Sequence, residues 1–504
     1  MVPGARAQSA GTSLFQPSLT DPGNVQRFKP IDQTAPASAK DILPASGAGE
    51  TGFKTFGSIG LKKKVKKRAG EPHPLPPKPQ PLPGAPQTAV AQTSAPQIKD
   101  RAAYADAYKP PDTPARRPAP PLQDPYEPLG LRVSTFVVKP AVEVSRGYDT
   151  NPSHIPGGKP SGYTVVEPTL KVLSNWSRHE YGIDLRGNYS RYDKDSSLSR
   201  PLLDVKSHSR IDVSRDTTIN TESRLFVSTD YPGSPNLPVG FAKLPISTSY
   251  GSTVGVAQRF NRLEVSAKGT TDRTQYDATP LVDGSLSSNK DRDFNQYGWA
   301  ARASYELLPG IKPFVELGGD VRKHDLQFDR DRLQRDSQAL TPRVGSTFDI
   351  ARRLTGEISV GYLTRKFEDP TLVDLKGVVA DASLIWNATG LTTATLTATS
   401  RADETVLNGV SGVLRRDVGV QIDHSLRRYL IWTTRAGYGM DDYVSNPSGL
   451  QRHDTRVSLG TALTYKFTRE VSLKGEYRYD QMWSDVPGVA YNANVFLIGL
   501  KLQR

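Results

Sequence analysis

The chain has 504 residues, with 65 Lys and Arg against 52 Asp and Glu, and it contains no cysteine. The missing cysteines exclude disulfides, thiolate metal sites and cysteine nucleophiles. No stretch approaches the roughly 18 consecutive apolar residues of a transmembrane helix, which excludes a helical membrane protein but not a β-barrel, because only alternate residues of a membrane strand must be apolar.

The first quarter of the chain differs from the rest in composition. Residues 1–125 hold 22 of the 40 prolines and carry 17 Lys and Arg against nine Asp and Glu. Such a segment buries too little apolar surface to offset its chain entropy. We therefore predict that residues 1–126 form a disordered, Pro-rich, basic periplasmic segment, in which residues 72–81 form a stiff polyproline-II spacer.

Two short motifs in this segment leave alternatives open. The basic run at residues 62–68 is either a solvated linker or a contact for anionic lipid headgroups or acidic polysaccharide. The residues Ala5-Arg6-Ala7 have the small-x-small form of a signal-peptidase site, which is either chance or the remnant of a longer signal peptide.

From about residue 131, apolar and polar residues alternate along segments separated by turn signals, as at Tyr181, Ile183 and Leu185. This period of two predicts β-strands with one apolar and one polar face. The predicted strands start near residues 132, 162, 179, 202, 217, 244, 261, 293, 311, 336, 353, 373, 391, 412, 428, 452, 469 and 490. Residues 127–504 are thus predicted to form an all-β, antiparallel, up-and-down transmembrane β-barrel of about eighteen strands.

The connections between these strands alternate in length. Long polar connections such as 230–242 and 278–292 follow the odd strands, and tight turns follow the even ones. The tight turns are Ser177-Arg178, Arg215-Asp216, Asn261-Arg262, Pro309-Gly310, Arg352-Arg353, Ala388-Thr389-Gly390, Arg427-Arg428 and Thr468-Arg469. This asymmetry is typical of a bacterial outer-membrane barrel with both chain ends in the periplasm. A β-propeller has a similar repeat length, but each of its blades needs four short strands where this chain supplies two long ones.

The polar face of the strands predicts the lining of a lumen. Both signs of charge are interleaved there, which suits a path for polar solutes, whereas a strongly ion-selective pore would show one sign in excess. The alternative is that these residues form cross-strand pairs that stabilise the wall. The predicted pore-lining residues are Asp184, Arg186, Glu222, Arg224, Glu264, Lys268, Arg302, Glu316, Asp320, Arg322, Glu357, Arg365, Arg435, Arg456, Lys474, Glu476 and Arg478.

No catalytic chemistry is predicted. The seven histidines include His179 and His208 on or beside strands and His324 and His453 at loop edges, and nothing in the sequence connects them to a nucleophile. They are interpreted as solvated side chains. We predict no catalytic residue, no metal site and no cofactor, and we expect that the protein is not an enzyme.

Three segments resemble one family of outer-membrane proteins. They are residues 124–132, the run Gly147-Tyr148-Asp149-Thr150-Asn151-Pro152, and the closing residues 491–495 with Gly499. Over residues 124–504 the chain resembles the Putative beta-barrel porin 2 family. The resemblance implies an outer-membrane barrel, and some similar barrels belong to exopolysaccharide synthesis and export systems.

Two functions are therefore carried forward. The first is a porin-like channel for polar solutes, with exopolysaccharide export as one use. The second is a structural or interaction barrel whose tail and loops bind cell-surface polysaccharide or peptidoglycan. The expected partners are outer-membrane lipid and lipopolysaccharide, the barrel-assembly machinery, and polysaccharide or components of an export system, but not nucleic acid.

Overall fold

The computed structural model describes residues 126–504 except 233, 238–239, 351–352 and 447–450. The prediction of disorder for residues 1–126 lies, but for Tyr126, outside the described residues. The strands are β1 (Leu131–Val133), β2 (Phe136–Asp149), β3 (Ser161–Ser174), β4 (Glu180–Tyr192), β5 (Arg200–Asp212), β6 (Thr217–Thr229), β7 (Ile246–Phe260), β8 (Leu263–Tyr276), β9 (Thr279–Pro280), β10 (Leu286–Ser287), β11 (Phe294–Tyr305), β12 (Ile311–His324), β13 (Ser337–Ile350), β14 (Leu354–Phe367), β15 (Leu375–Asn387), β16 (Thr392–Asp403), β17 (Val410–Arg427), β18 (Leu430–Ser445), β19 (Arg452–Lys466), β20 (Val471–Ser484) and β21 (Tyr491–Gln503).

Eighteen of these strands form one closed antiparallel barrel. Neighbours in the sequence pair from β2 to β8, β8 pairs with β11, and the order continues to β21. The last strand then pairs with the first, from Ala141↔Gln503 to Asp149↔Val495, so that the ring of strands closes. The predicted eighteen-strand up-and-down barrel is confirmed.

The two ends of the barrel differ as the sequence predicts. At one end, which we call the turn end, consecutive strands are joined by short turns such as 261–262 and 428–429, and the first and last barrel strands begin and finish there. At the other, the loop end, the connections include 150–160, 230–245, 277–293 and 325–336. Asn261 and Gly310 take positive φ values of 57° and 82° in the short turns, a conformation that these residue types tolerate best.

Two details differ from the sequence prediction. The first barrel strand starts at Phe136 and not near residue 132, because Ser134, with φ 53°, turns residues 131–133 back onto β2. The long connection 277–293 also contains a small hairpin, whose strands β9 and β10 have two residues each, and a 3-10 turn at Lys290–Arg292. Among the described residues, no helix is long and apolar enough to cross a membrane.

Alternation along each strand gives the wall two faces of different character. On β11, Gln296 and Arg302 are buried, whereas Tyr297, Trp299 and Tyr305 are exposed. The side chains of a strand point alternately to opposite faces, and in a closed barrel the buried set points inward. The inner face therefore carries mostly polar and charged residues, and the outer face carries a band of exposed apolar ones.

Candidate functional site

The strand register places all seventeen predicted pore-lining residues on the inner face of the barrel. Seven of them are buried: Lys268, Arg302, Glu316, Arg322, Arg365, Arg456 and Arg478. The other ten are partly exposed. Their place on the wall fits the prediction, while their role as a pore lining stays a prediction.

One ion-pair network on the inner wall is centred on Arg302 of β11. Its guanidinium bonds to Glu316 of β12 at 2.8 Å and to Glu357 of β14 at 2.9 and 3.0 Å. The same group lies over the ring of Phe314, 3.9 Å from its centroid. One cation is thus shared by two carboxylates and an aromatic face, and the network links strands that are not neighbours in the sheet.

A second network lies about a quarter of the way round the ring, across β16 to β19. Arg456 bonds to Asp417 and to Asp441, both at 2.7 Å, and Arg415 bonds to Asp441 at 2.9 Å. Arg415 also lies 3.3 Å from Asp403. Cations and anions alternate along this network, so each charged group is paired with a group of opposite sign on the wall itself.

A third network lies where the barrel closes. Lys474 of β20 bonds to Glu143 of β2 at 2.7 Å and lies 3.6 Å from Glu476. A separate ion pair joins Arg224 of β6 to Asp272 of β8 at 2.6 Å. The sequence left a pore lining and wall-stabilising pairs as alternatives, and these pairs show that the same residues do bond across strands.

The mouth at the loop end is spanned by two connections that start on opposite sides of the ring. The amide oxygen of Asn236, in the connection 230–245, accepts hydrogen bonds from Thr405 Oγ1 at 3.2 Å and from the backbone N–H of Val406 at 3.1 Å. Both Asn236 and Thr405 are buried. Because β6 and β16 lie nearly half the ring apart, these contacts must cross the mouth of the lumen.

The connection 230–245 is held at its base by charge and by apolar packing. Asp230 and Arg292 form a buried ion pair at 2.7 Å. Tyr231 packs in an apolar cluster with Met482, Val489 and Tyr491 of the closing strands and their loop. The described residues at the start of this connection are therefore held by buried contacts.

The opposite connection, 404–409, is held by Glu404. Its carboxylate accepts from Arg322 at 3.3 Å and lies 3.0 Å from His324 Nε2. Burial on its own would raise the pKa of Glu404, but the neighbouring His324 and Arg322 outweigh it and hold the pKa below its ordinary value. The interpretation of His324 as a solvated side chain is wrong, because its side chain is only 2% exposed. It contacts Asp336 and Glu404, which belong to two of the connections at the loop end.

Sequence reasoning did not single out Asn236, Glu404 or Asp230. For Asp230 and Asn236, the only signal was the length of the connection around residues 230–242, because long ordered connections often carry function. The short connection that contains Glu404 gave no such signal. Their partners lie about 60 to 170 positions away in the chain, which no local pattern can reveal. Within the described part of the chain, no group of three His, Asp or Glu side chains is placed to hold a metal ion.

The geometry defines a class of protein: a closed, porin-like outer-membrane barrel fold with a polar inner wall and a covered mouth. The model of the Putative beta-barrel porin 2 family matches residues 124–504, and the chain belongs to that family. No curated protein matches the chain.

Solved structures that resemble the chain include the outer membrane protein OpdK and the protein OpdL, both from Pseudomonas aeruginosa, and one protein from Acinetobacter baumannii. OpdK is 13% identical and covers 73% of this chain and 99% of its own, with a TM-score of 0.37. OpdL is 14% identical and covers 74% and 99%, with a TM-score of 0.36. OccAB1 from Acinetobacter baumannii is 13% identical and covers 75% and 99%, with a TM-score of 0.38.

Proposed function

We propose that the protein is a gated outer-membrane channel for polar, uncharged or weakly charged solutes. The observation that carries the proposal is the inner wall, where buried cations and anions are paired with one another, as in the Arg302–Glu316–Glu357 network. A wall with no excess of one sign gives no strong electrostatic preference for anions or cations. It does offer hydrogen-bonding groups, which suit hydroxyl-rich solutes such as sugars.

The covered mouth supports a gate. We propose that a solute leaves at the loop end when the connections 230–245 and 404–409 separate, because the contacts described between them are few and polar. Separating them leaves the strand ladders intact. We therefore propose a channel that is mostly closed and opens by displacement of these loops, with the loop end outside the cell and both chain ends in the periplasm.

A hydroxyl-rich polymer is one solute that this wall would suit. Polysaccharide presents the same groups to the lumen as free sugars, and the family resemblance of residues 124–504 includes barrels of polysaccharide export systems. Within this proposal, the basic run at residues 62–68 would contact acidic polymer or lipid headgroups on the periplasmic side.

Planar-bilayer recordings of the full chain, together with swelling of proteoliposomes in neutral oligosaccharides, test the proposal. We expect brief openings, a reversal potential close to zero in a KCl gradient, and sugar-driven swelling. A variant with a shortened connection 230–245 should stay open for longer. A reversal potential near that of one ion would contradict the polar-solute channel, and a silent variant with the shortened loop would contradict the channel itself.

A second function is favoured by the closed mouth, because a barrel that stays shut can serve as a fixed anchor. In that case the tail and the loops bind surface polysaccharide or peptidoglycan. Deleting residues 1–125 separates the two proposals. Loss of cellular function with unchanged conductance supports the anchor, and unchanged function in the deletion supports the channel.

A further inference from the structure

Two neighbouring strands, β15 and β16, pair along only half of their length. Toward the loop end, the ladder stops at Ala382↔Ala398. Beyond it, Leu375–Asp381 remain paired with β14 and Thr399–Asp403 with β17. Although all of these residues are described, the two segments share no ladder pairing with each other. We call this stretch of the wall the seam.

At the seam, side chains of β16 and β17 form hydrogen bonds with backbone groups of β15 that have no partner in a ladder with β16. Ser400 Oγ accepts a hydrogen bond from the N–H of Ala380 at 2.8 Å and donates one to its carbonyl at 3.0 Å. Arg416 of β17 reaches across and donates from Nε to the carbonyl of Val378 at 3.1 Å. Buried backbone groups require partners, and here two side chains provide them.

An apolar cluster runs through the wall at the same place. The register puts Leu363, Leu375 and Val379 on the inner face, where most other positions are polar. They pack in one cluster with Ala402 and Leu414, which lie on the outer face. In a fully paired wall, the backbone separates inner from outer side chains. At the seam they touch, so the inner faces of β14 and β15 pack against the outer faces of β16 and β17. This apolar contact, with side chains 1–6% exposed, closes the gap.

The outer surface beside the seam is also suited to hydrocarbon. Val378 on β15 and Val418 on β17 are exposed on either side of it. An apolar concavity of about 730 Å³ extends over the outer face from β8 and β11 and ends at Val378. A hydrocarbon chain that leaves the gap would therefore meet apolar surface continuously.

The inner surface beside the seam is charged. Arg401 bonds to Asp403 at 3.0 Å, and Asp403 lies 3.3 Å from Arg415. The charged wall of the lumen therefore borders the apolar cluster that closes the seam. A molecule with a polar head and a hydrocarbon chain matches both, whereas a sugar matches only the first.

We infer that the seam is a lateral port through which a hydrocarbon chain passes between the lumen and the lipid at the loop end of the barrel. The solute class is a single-chain amphiphile whose head follows the charged wall while its chain crosses the gap. The path of the amphiphile's polar head along the lumen rests on the proposed channel. The passage of its hydrocarbon chain through the barrel wall does not.

A disulfide across the seam tests the port, because the chain has no cysteine of its own. The variant Ala380→Cys/Ser400→Cys bridges β15 and β16 at the point where Ser400 touches the Ala380 backbone. Val360→Cys/Ala380→Cys is the matched control, since it bridges β15 to its fully paired neighbour β14. Thiol titration reports closure of each bridge, and heat-modifiable migration on gels reports folding.

The probe is palmitate carrying a terminal diazirine, added to proteoliposomes of the full chain and activated by light. Leu363 lies in the apolar cluster of the seam and is buried, so we expect it to be labelled when the hydrocarbon chain of the probe enters the seam. The oxidised seam bridge should reduce this labelling several-fold, reduction of the bridge should restore it, and the control bridge should leave it unchanged. Labelling that persists through the oxidised seam bridge, or no labelling of Leu363 in the unmodified chain, overturns the port.

A second variant loosens the seam. Ser400→Ala/Arg416→Ala removes both side chains that replace the ladder, and it should raise labelling of Leu363 above that of the unmodified chain; unchanged labelling counts against the port. Conductance recorded on the same samples separates the two proposals. If labelling of Leu363 depends on the seam but the barrel does not conduct, only the proposed channel is contradicted. If the barrel conducts but Leu363 is not labelled, only the proposed port is contradicted.

Discussion

Replacing Asn236 by alanine should open the mouth of the barrel. The amide oxygen of Asn236 accepts both hydrogen bonds by which the connection 230–245 meets Thr405 and Val406 across the lumen. Alanine removes this acceptor and leaves two donors without a partner while the mouth is closed. In the open state those donors reach water, so the substitution penalises only the closed state.

The size of the effect follows from the burial of the partners. Asn236 is 5% exposed and Thr405 is 3% exposed, and a buried donor left without its acceptor costs about 1–3 kcal/mol. A shift of about 2 kcal/mol changes the closed-to-open ratio by roughly thirtyfold. Single-channel recording in planar bilayers measures this ratio as the open probability, and the unit conductance of each opening should stay the same.

Asn289→Ala is the matched control. Asn289 is 1% exposed, and its amide nitrogen donates to the carbonyl of Asp277 at 2.7 Å and to Thr279 Oγ1 at 2.9 Å. The same change in chemistry therefore loosens one connection internally without releasing a contact across the mouth. Equal open probabilities in the two variants would refute the reasoning, and so would an Asn236→Ala channel that gates like the unmodified chain.

Two further predictions concern charged residues. Because the pKa of Glu404 is held below its ordinary value of 4.5, its contribution to the closed mouth is complete above pH 4.5 and declines as the pH falls below it. Acidification below pH 4.5 should raise the open probability, whereas Glu404→Gln should be partly open at pH 7 and lack this step. In urea titrations, Arg302→Ala should lower the free energy of unfolding by about 3–5 kcal/mol, because two carboxylates on the inner wall lose their cation. Arg146→Ala, which breaks the exposed pair with Asp193, should cost less than about 1 kcal/mol, and equal losses would contradict the importance of burial.

The barrel could be predicted because its information is local. The alternation in segments such as Tyr181, Ile183 and Leu185 fixes which face of a strand is apolar, and strands that span a membrane need this pattern along their whole length. The short turns are equally local, since Asn261 and Gly310 mark the backbone conformation that a tight turn requires. The predicted starts at residues 217, 311 and 452 coincide with the observed ones.

The site could be predicted only in part, because contacts across the lumen are not local. Alternation correctly puts Arg302 and Glu316 on the inner face, but the bond between Arg302 and Glu357 depends on the curvature that brings β11 near β14. The seam is hidden for a related reason. Leu375–Asn387 departs from alternation, because Leu375, Val379 and Ile385 are apolar at inward positions. Such a departure within one strand does not say how far that strand pairs with the next.

The mouth and the seam share one piece of chain, which links the two proposals physically. The connection 404–409 begins where the edge of the seam ends at Asp403, and Arg322 donates both to Glu404 and, at 3.1 Å, to the carbonyl of Ala402. A displacement of 404–409 that uncovers the mouth therefore also releases the end of β16. Both flanks of the seam stay paired on their other side, β15 with β14 and β16 with β17. The β16 flank is the one that continues into 404–409 and bonds to Arg322, so it is the flank whose end loosens. Opening of the mouth should therefore weaken the seam at its loop end first, where Leu375 faces the gap, and leave the paired segment below Ala382 closed.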